Sequence, residues 1–172
     1  SQKGPGAMHA PWLISLAAGL VVGGLSQVSR LCTVGGFRDL FLFKKSILIF
    51  GYLAVLVGVF VVNISFGNFH LGFENQPIAH TDGLWNFLGM ALAGFCSVLL
   101  GGCPLRQLIM TGEGNSDSAV TVLGLAAGAA FAHNFGLAAS GAGPTLNGQI
   151  AVGVGFVVAL IIAILNTKRA NA

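Results

Sequence analysis

Five long apolar runs set what this sequence can fold into. Each has close to the roughly 20 residues that an α-helix needs to cross the hydrocarbon core of a bilayer. They cover residues 11–28, 46–65, 84–100, 118–140 and 148–165. Only 8% of the residues are charged, against about 25% in ordinary globular domains. Because a segment in lipid must satisfy its own backbone polar groups, we predict an all-α, polytopic membrane helical bundle of about five transmembrane helices.

The positive charges are distributed unevenly between the two sides that such a bundle would have. Seven of the eight Lys and Arg residues follow the first, third or fifth run, and Lys3 alone lies on the opposite side. Cytoplasmic segments of membrane proteins are enriched in Lys and Arg. We therefore predict an N-terminus outside, a cytoplasmic tail at 167–172, and both cysteine motifs described below on the cytoplasmic side.

The first cysteine motif comes directly after the first apolar run and contains Cys32, Gly35, Gly36 and Arg38. The Cys-x5-Arg spacing forms an anion cradle in soluble cysteine phosphatases, but those proteins need a strand before the cysteine, whereas a membrane helix precedes it here. The underlying chemistry is general, because consecutive N–H groups, a helix N-terminus and an arginine all favour a bound anion. We predict a sharp turn at the two glycines, which would bring the start of a short helix over 37–43 close to Cys32 in space.

A second motif follows about seventy residues later, again at the end of an apolar run. It consists of Gly101, Gly102, Cys103, Pro104 and Arg106. Proline suits the first position of a helix, so Cys103 is predicted to cap a half-helix that points into the bundle. Arg106 lies three residues further on the same side of that helix and is predicted to meet the substrate's charge, whereas Arg30 is interpreted as a positive-inside anchor.

The two motifs belong to an internal repeat. Residues 11–65 and 84–140 each contain an apolar run, a cysteine motif and a second apolar run, and 148–165 adds a final helix. Transporters built from repeats place the substrate site at the repeat interface. Residues 1–10 are polar and glycine-rich without the pattern of a signal peptide, so we interpret them as a linker, which indicates either a piece of a longer protein or a processed end.

Other polar groups and the third cysteine leave alternatives open. Cys96, in mid-run, is interpreted as a small buried apolar side chain. His133 and Asn134 interrupt the fourth run, and polar groups at membrane depth usually face the bundle interior. They either line a path or hydrogen-bond a neighbouring helix. The loop 66–83 contains His70, Glu74, His80 and Asp82. The irregular spacing of these four favours a solvated loop over a metal site.

With these residues in hand, the chain resembles the YeeE/YedE family of bacterial inner-membrane proteins of the sulfur-transport class, and most closely its YedE branch, which is associated with selenium metabolism. The resemblance covers about residues 12–166. It implies uptake of a small sulfur or selenium compound, passed between cysteine thiols by weak S–H contacts at a constriction, and by motif it gives that role to Cys32 and Cys103. Family members are usually about twice as long, so the chain resembles the C-terminal half of such a protein.

We therefore expect a membrane transporter or transporter half for a compound such as thiosulfate or a selenium species, and not an enzyme. One alternative is a membrane sulfur or selenium carrier that forms a Cys persulfide or selenylsulfide, and another is a structural membrane partner whose cysteines are incidental. The predicted pathway residues are Cys32, Cys103, Arg38, Arg106, Gly35, Gly36, Gly102, His133 and Asn134. We expect the lipid bilayer, the N-terminal half or a second copy, and a cytoplasmic sulfur or selenium carrier protein as partners. We expect no cofactor, metal or nucleic acid.

Overall fold

The computed structural model describes residues 11–67, 69, 72 and 80–170. Within them the chain forms seven α-helices and no strand, which confirms the predicted all-α class. The helices are α1 (Trp12–Ser29), α2 (Thr33–Phe43), α3 (Ile47–Ser65), α4 (Gly83–Leu99), α5 (Pro104–Gly112), α6 (Ser116–Asn134) and α7 (Leu146–Ala170).

The five long helices overlap the five apolar runs, although α6 ends at Asn134, before the end of the run 118–140. Four helical segments of the described chain are long and apolar enough to cross a membrane, and they are Trp12–Phe43, Ile47–Ser65, Gly83–Gly112 and Leu146–Thr167. The remaining long helix, α6, is less apolar because polar residues occupy both of its ends. Helix α7 begins before and ends after the predicted 148–165.

Two of these four segments are helices broken in the middle. Trp12–Phe43 contains α1 and α2, and Gly83–Gly112 contains α4 and α5. Cys32 comes 20 residues after Trp12, and Cys103 comes 20 residues after Gly83. Each cysteine therefore lies between the long and the short helix of its segment. The position of both cysteines on the cytoplasmic side stays a prediction.

The first break, residues 30–32, is made by the backbone of Arg30. This residue takes a left-handed conformation with φ of 50°, and its N–H and that of Leu31 bond back to the carbonyls of Gln27 and Ser26. Such a left-handed cap is a common way to end a helix. The predicted turn at Gly35 and Gly36 is wrong, since both residues lie inside α2.

The second break, residues 100–103, has the same design 71 residues later. Gly101 takes a left-handed φ of 74°, and the N–H groups of Gly101 and Gly102 bond to the carbonyls of Val98 and Ser97. These bonds match those of the first break one for one at this offset. As predicted, Pro104 opens α5 directly after Cys103.

The two breaks lie beside each other because the broken segments contact reciprocally. Helix α1 contacts α5, and α4 contacts α2, so the long helix of each segment touches the short helix of the other. Helices α3, α6 and α7 pack on α2, α5 and α4 respectively. Reciprocal contacts of this kind are those of a pseudo-twofold arrangement.

Burial is concentrated where the breaks meet. Among the described residues, the buried side chains are Cys103, Ala159, Ser26, Gln107 and Ser118. Three of these five, Ser26, Cys103 and Gln107, belong to the breaks or to the helix turns beside them. Helix α3 has no buried residue, which is consistent with a helix that faces lipid. The described chain is thus most tightly packed around its two cysteines.

Candidate functional site

Cys32 and Cys103 occupy the same position in the two repeats, directly before a short helix. Cys32 is the N-cap of α2, and its Sγ accepts a hydrogen bond from the N–H of Gly35 at 3.3 Å. Cys103 is the N-cap of α5 and is 8% exposed. The first N–H groups of a helix have no intrahelical acceptor and carry its positive dipole end. Each thiol therefore stands where a negative charge is favoured.

The two cysteines lie close enough to each other to interact electrostatically. The Cys32 thiol has such interactions with the backbone and side chain of Cys103 and with the N–H groups of Val34 and Gly35, and the N–H of Gly35 makes the hydrogen bond given above. Both cysteines are free thiols. The fold thus brings together two residues that are 71 positions apart and surrounds them with main-chain donors. This pairing, called the cysteine pair below, could not be read from either motif alone.

Gly101 makes the turn of the second break, whereas Gly35, Gly36 and Gly102 allow close packing. A Cβ at Gly35 would lie 3.3 Å from the Cβ and 3.5 Å from the Sγ of Cys32. A Cβ at Gly36 would lie 3.5 Å from the backbone nitrogen of Ile49 at the start of α3. Gly102 is buried, and a Cβ there would lie 3.5 Å from the side-chain nitrogen of Gln107. All three positions are closely surrounded.

Arg38 lies in the second turn of α2 on an exposed surface. Its Nε and Nη2 donate to Oδ1 of Asp39 at 3.1 and 2.9 Å, and its side chain is 57% exposed. Exposed ion pairs of this kind contribute only about 0–1 kcal/mol to stability. The guanidinium is therefore accessible to a competing anion.

Arg106 lies in the first turn of α5 and connects the two repeats. Its Nη1 donates to Oε1 of Gln27 in α1 at 3.3 Å, and its Nη2 lies 3.7 Å from Oε1 of Glu113. With 21% of the side chain exposed, the guanidinium is more enclosed than that of Arg38. Its partners tie the start of α5 to the last turn of α1.

His133 and Asn134 form the end of α6 instead of interrupting a continuous span. Both are exposed, and the Asn134 amide donates to the carbonyl of Ala130 in its own helix at 3.0 Å. Helix α6 stops there because residues 135–145 form turns before α7. The fold does not bring these two residues into the cysteine pair, and their pathway role stays a prediction.

The loop before α4 has two described candidates for the metal site weighed above. Asp82 caps α4 by accepting from the N–H of Trp85, and the carbonyl of His80 accepts from Asn86. His70 and Glu74 lie outside the described residues. In the part of the chain that the structure describes, no three His, Cys, Asp or Glu residues could together hold a metal ion.

Cys96 lies apart from the cysteine pair. It lines an apolar groove of about 1,210 Å³ between α4, α6 and α7, together with residues such as Phe131, Ile150 and Val154. This half-buried position among apolar side chains suits the small apolar role interpreted from the sequence. Cys96 is accordingly a matched control for experiments on the other two thiols.

Sequence reasoning missed several residues at the junction of the breaks. Gln107 is 4% exposed and Ser26 is 6% exposed, and Gln27 and Glu113 hold Arg106. The available signal was helical spacing, since Gln107 follows Cys103 by four residues and is polar among apolar neighbours. Its partner is a backbone carbonyl, which no side-chain pattern reports.

Comparisons with known proteins agree with this picture. The model of a family described as sulphur transport matches residues 28–169. The thiosulfate transporter TsuA of Escherichia coli K12 is 29% identical over 111 residues, which are 62% of this chain and 30% of that protein. The match thus spans less than a third of that relative's length. No solved structure matches the chain.

The family match extends from the end of α1 nearly to the end of α7, so it includes both breaks and both thiols. The family model matches most of the sequence. The described chain also has apolar helices long enough to span a bilayer. The chain belongs to the sulphur transport family.

Proposed function

We propose that this chain is a transporter, or part of one, for a small sulfur or selenium compound such as thiosulfate, which passes between the thiols of Cys32 and Cys103. The family supports a sulfur-compound membrane transporter. The similar protein TsuA is a thiosulfate transporter, which supports the same substrate class here. The structural observation that carries the proposal is that the two thiols lie close together, each at the start of a short helix.

The chemistry of the pair suits a soft, polarisable anion. Backbone N–H groups at the starts of α2 and α5 favour its negative charge. The thiols offer weak S–H donors at the same point. A thiolate would repel the anion, so we propose that both cysteines act in the protonated form during passage.

The two arginines have separate roles in this proposal. Arg38 is exposed beside Asp39 and attracts the anion from solvent. Arg106 is enclosed between Gln27 and Glu113 and supplies positive charge beside the break. Gly35, Gly36 and Gly102 keep side chains away from the main chain around the thiols. We propose that His133 and Asn134 contribute to the pathway only at the C-terminal end of α6, away from the cysteine pair.

The surroundings follow from the charge distribution. We propose a bacterial inner membrane location with the N-terminus outside and the C-terminus in the cytoplasm, because seven of the eight basic residues follow the first, third or fifth run. The matched relative is much longer than the aligned part, so we propose that the remainder of a longer protein, or a second copy, completes the pathway. We propose that a cytoplasmic carrier protein receives the transported sulfur or selenium compound.

Uptake measurements with single thiol replacements test the proposal. Serine is a good N-cap residue, so Cys32→Ser and Cys103→Ser keep the starts of α2 and α5 while removing the sulfur. We expect each variant to lose most uptake of labelled thiosulfate or selenium compound into cells or liposomes, and Cys96→Ser to retain it. Unchanged uptake in both Cys32→Ser and Cys103→Ser would refute passage along the pair.

Mass spectrometry of the purified protein separates passage from the sulfur-carrier alternative. A carrier thiolate would attack the outer sulfur of thiosulfate, or the selenium of selenosulfate, and form a persulfide or selenylsulfide as sulfite leaves. Cys32 or Cys103 would then retain the mass of a sulfur or selenium atom after exposure to substrate. Passage through hydrogen-bonding contacts leaves both thiols unmodified. An adduct that transfers to a partner protein would favour the carrier.

A further inference from the structure

Gln107 is a buried polar residue on the helix that Cys103 caps. Its side chain is 4% exposed, and it follows the cysteine by four residues, one helical turn. A buried amide is costly unless it is hydrogen-bonded. Its bonding partner therefore explains why the fold accepts it there.

The side chain of Gln107 closes the second break. Its Nε2 donates to the carbonyl of Leu100 at 3.0 Å, while its backbone N–H donates to the carbonyl of Cys103 at 3.1 Å. Leu100 is the C-cap residue of α4. The carbonyl groups at the end of a helix have no hydrogen-bond partner within that helix, so the Gln107 amide supplies one here. One residue thus binds both ends of the segment 100–103, and Gly102 packs against the same amide.

The first break has no such side chain. At the offset of 71 residues, Gln107 corresponds to Gly36, whose N–H makes the matching bond to the carbonyl of Cys32 at 2.8 Å. Gly36 lies instead against the backbone of Ile49. The two breaks therefore share the same backbone hydrogen bonds. Their loops differ in what stabilises them, which is the Gln107 amide at the second break and packing against α3 at the first.

We infer that Gln107 is a positioning residue that holds the Cys103 thiol in place against Cys32, an inference that rests on the proposed passage between these two thiols. The amide fixes the loop between α4 and α5, and the loop fixes where the thiol stands. Without this bond, the Cys103 side of the pair loses its support, whereas the first break keeps its own.

Site-resolved alkylation in the membrane-embedded protein tests this role. Gln107→Met removes the donor at similar volume. Thr111→Val is the matched control, because it removes the hydroxyl that donates to the backbone carbonyl of Gln107 and leaves the Gln107 amide in place. N-ethylmaleimide labelling is followed by mass spectrometry at Cys103, with Cys96 as the internal reference. We expect Gln107→Met to raise the relative labelling rate of Cys103 roughly two- to tenfold, the range that one hydrogen bond controls, and to lower the maximal uptake rate.

The outcomes distinguish this inference from the proposed function. Wild-type labelling and uptake in Gln107→Met, or equal changes in Thr111→Val, would overturn the positioning role even if the cysteine variants abolish uptake. A different result would overturn the proposed function alone. If Gln107→Met speeds the labelling of Cys103 but Cys32→Ser and Cys103→Ser still transport, the positioning role holds and passage between the thiols is wrong. Should Gln107→Met fail to fold, Gln107→Asn keeps the amide but is one methylene too short, and the same labelling increase is expected.

Discussion

Replacing Gly35 by alanine tests whether the position of the Cys32 thiol controls transport. The new Cβ would lie 3.3 Å from the Cys32 Cβ and 3.5 Å from its Sγ, closer than carbon atoms pack comfortably. The thiol must move by a few tenths of an ångström. The hydrogen bond from the Gly35 N–H to Sγ, now 3.3 Å long, is then weakened or lost.

The size of the effect follows from that bond. A net hydrogen bond is worth about 0.5–1.5 kcal/mol, so its loss lowers the population of the present thiol position roughly two- to tenfold. Alanine is also a better helix former than glycine by up to about 1 kcal/mol. We therefore expect Gly35→Ala to reduce uptake by that factor while the thermal stability in detergent stays the same or rises.

Gly36→Ala is the matched control, one residue further along α2. Its Cβ would meet the Ile49 backbone nitrogen at 3.5 Å, an ordinary contact, and its three nearest neighbours belong to Leu48 and Ile49, not to Cys32. It shares the gain in helix propensity without the displacement. Uptake and melting temperature are measured in parallel for both variants. If Gly35→Ala and Gly36→Ala transport equally well, thiol position does not limit transport and the reasoning fails.

Two further predictions concern the helix ends. Gly148→Ala would place a Cβ 2.5 Å from the Leu137 carbonyl oxygen, so we expect a loss of about 1–3 kcal/mol, seen as a lower melting temperature, whereas Gly153→Ala on the same helix has open space; equal stabilities would contradict this packing. Asn115 caps α6 by accepting from the N–H of Ser118 at 2.9 Å, so Asn115→Ala should cost about 0.5–2 kcal/mol and Asn115→Asp little; a melting temperature unchanged by alanine would argue against the cap.

The architecture was predictable from the sequence because its signals are strong and local. Apolar runs near membrane length gave the five long helices, and Pro104 after a glycine pair gave the start of α5. The second cysteine motif gave the repeat. Each of these features depends on residues close together in the chain, where periodicity and turn preferences report the structure directly.

The details of the site were less predictable because they depend on tertiary contacts. Gly35 and Gly36 suggested a turn, but glycine also serves close packing, and the actual turn is at Arg30, a residue without turn preference. The apolar run 118–140 places His133 and Asn134 inside a helix, whereas α6 ends at Asn134. The proximity of the two cysteines requires that two broken segments pack against each other, which neither motif encodes by itself.

Protection of individual thiols by substrate tests the central claim most directly. Alkylation rates of Cys32, Cys103 and Cys96 are measured by mass spectrometry in the membrane-embedded protein, with thiosulfate and with sulfate as the control anion. We predict that thiosulfate slows the labelling of Cys32 and Cys103 together and leaves Cys96 unchanged. Equal rates at all three thiols with and without thiosulfate, or protection of Cys96 alone, would contradict the account.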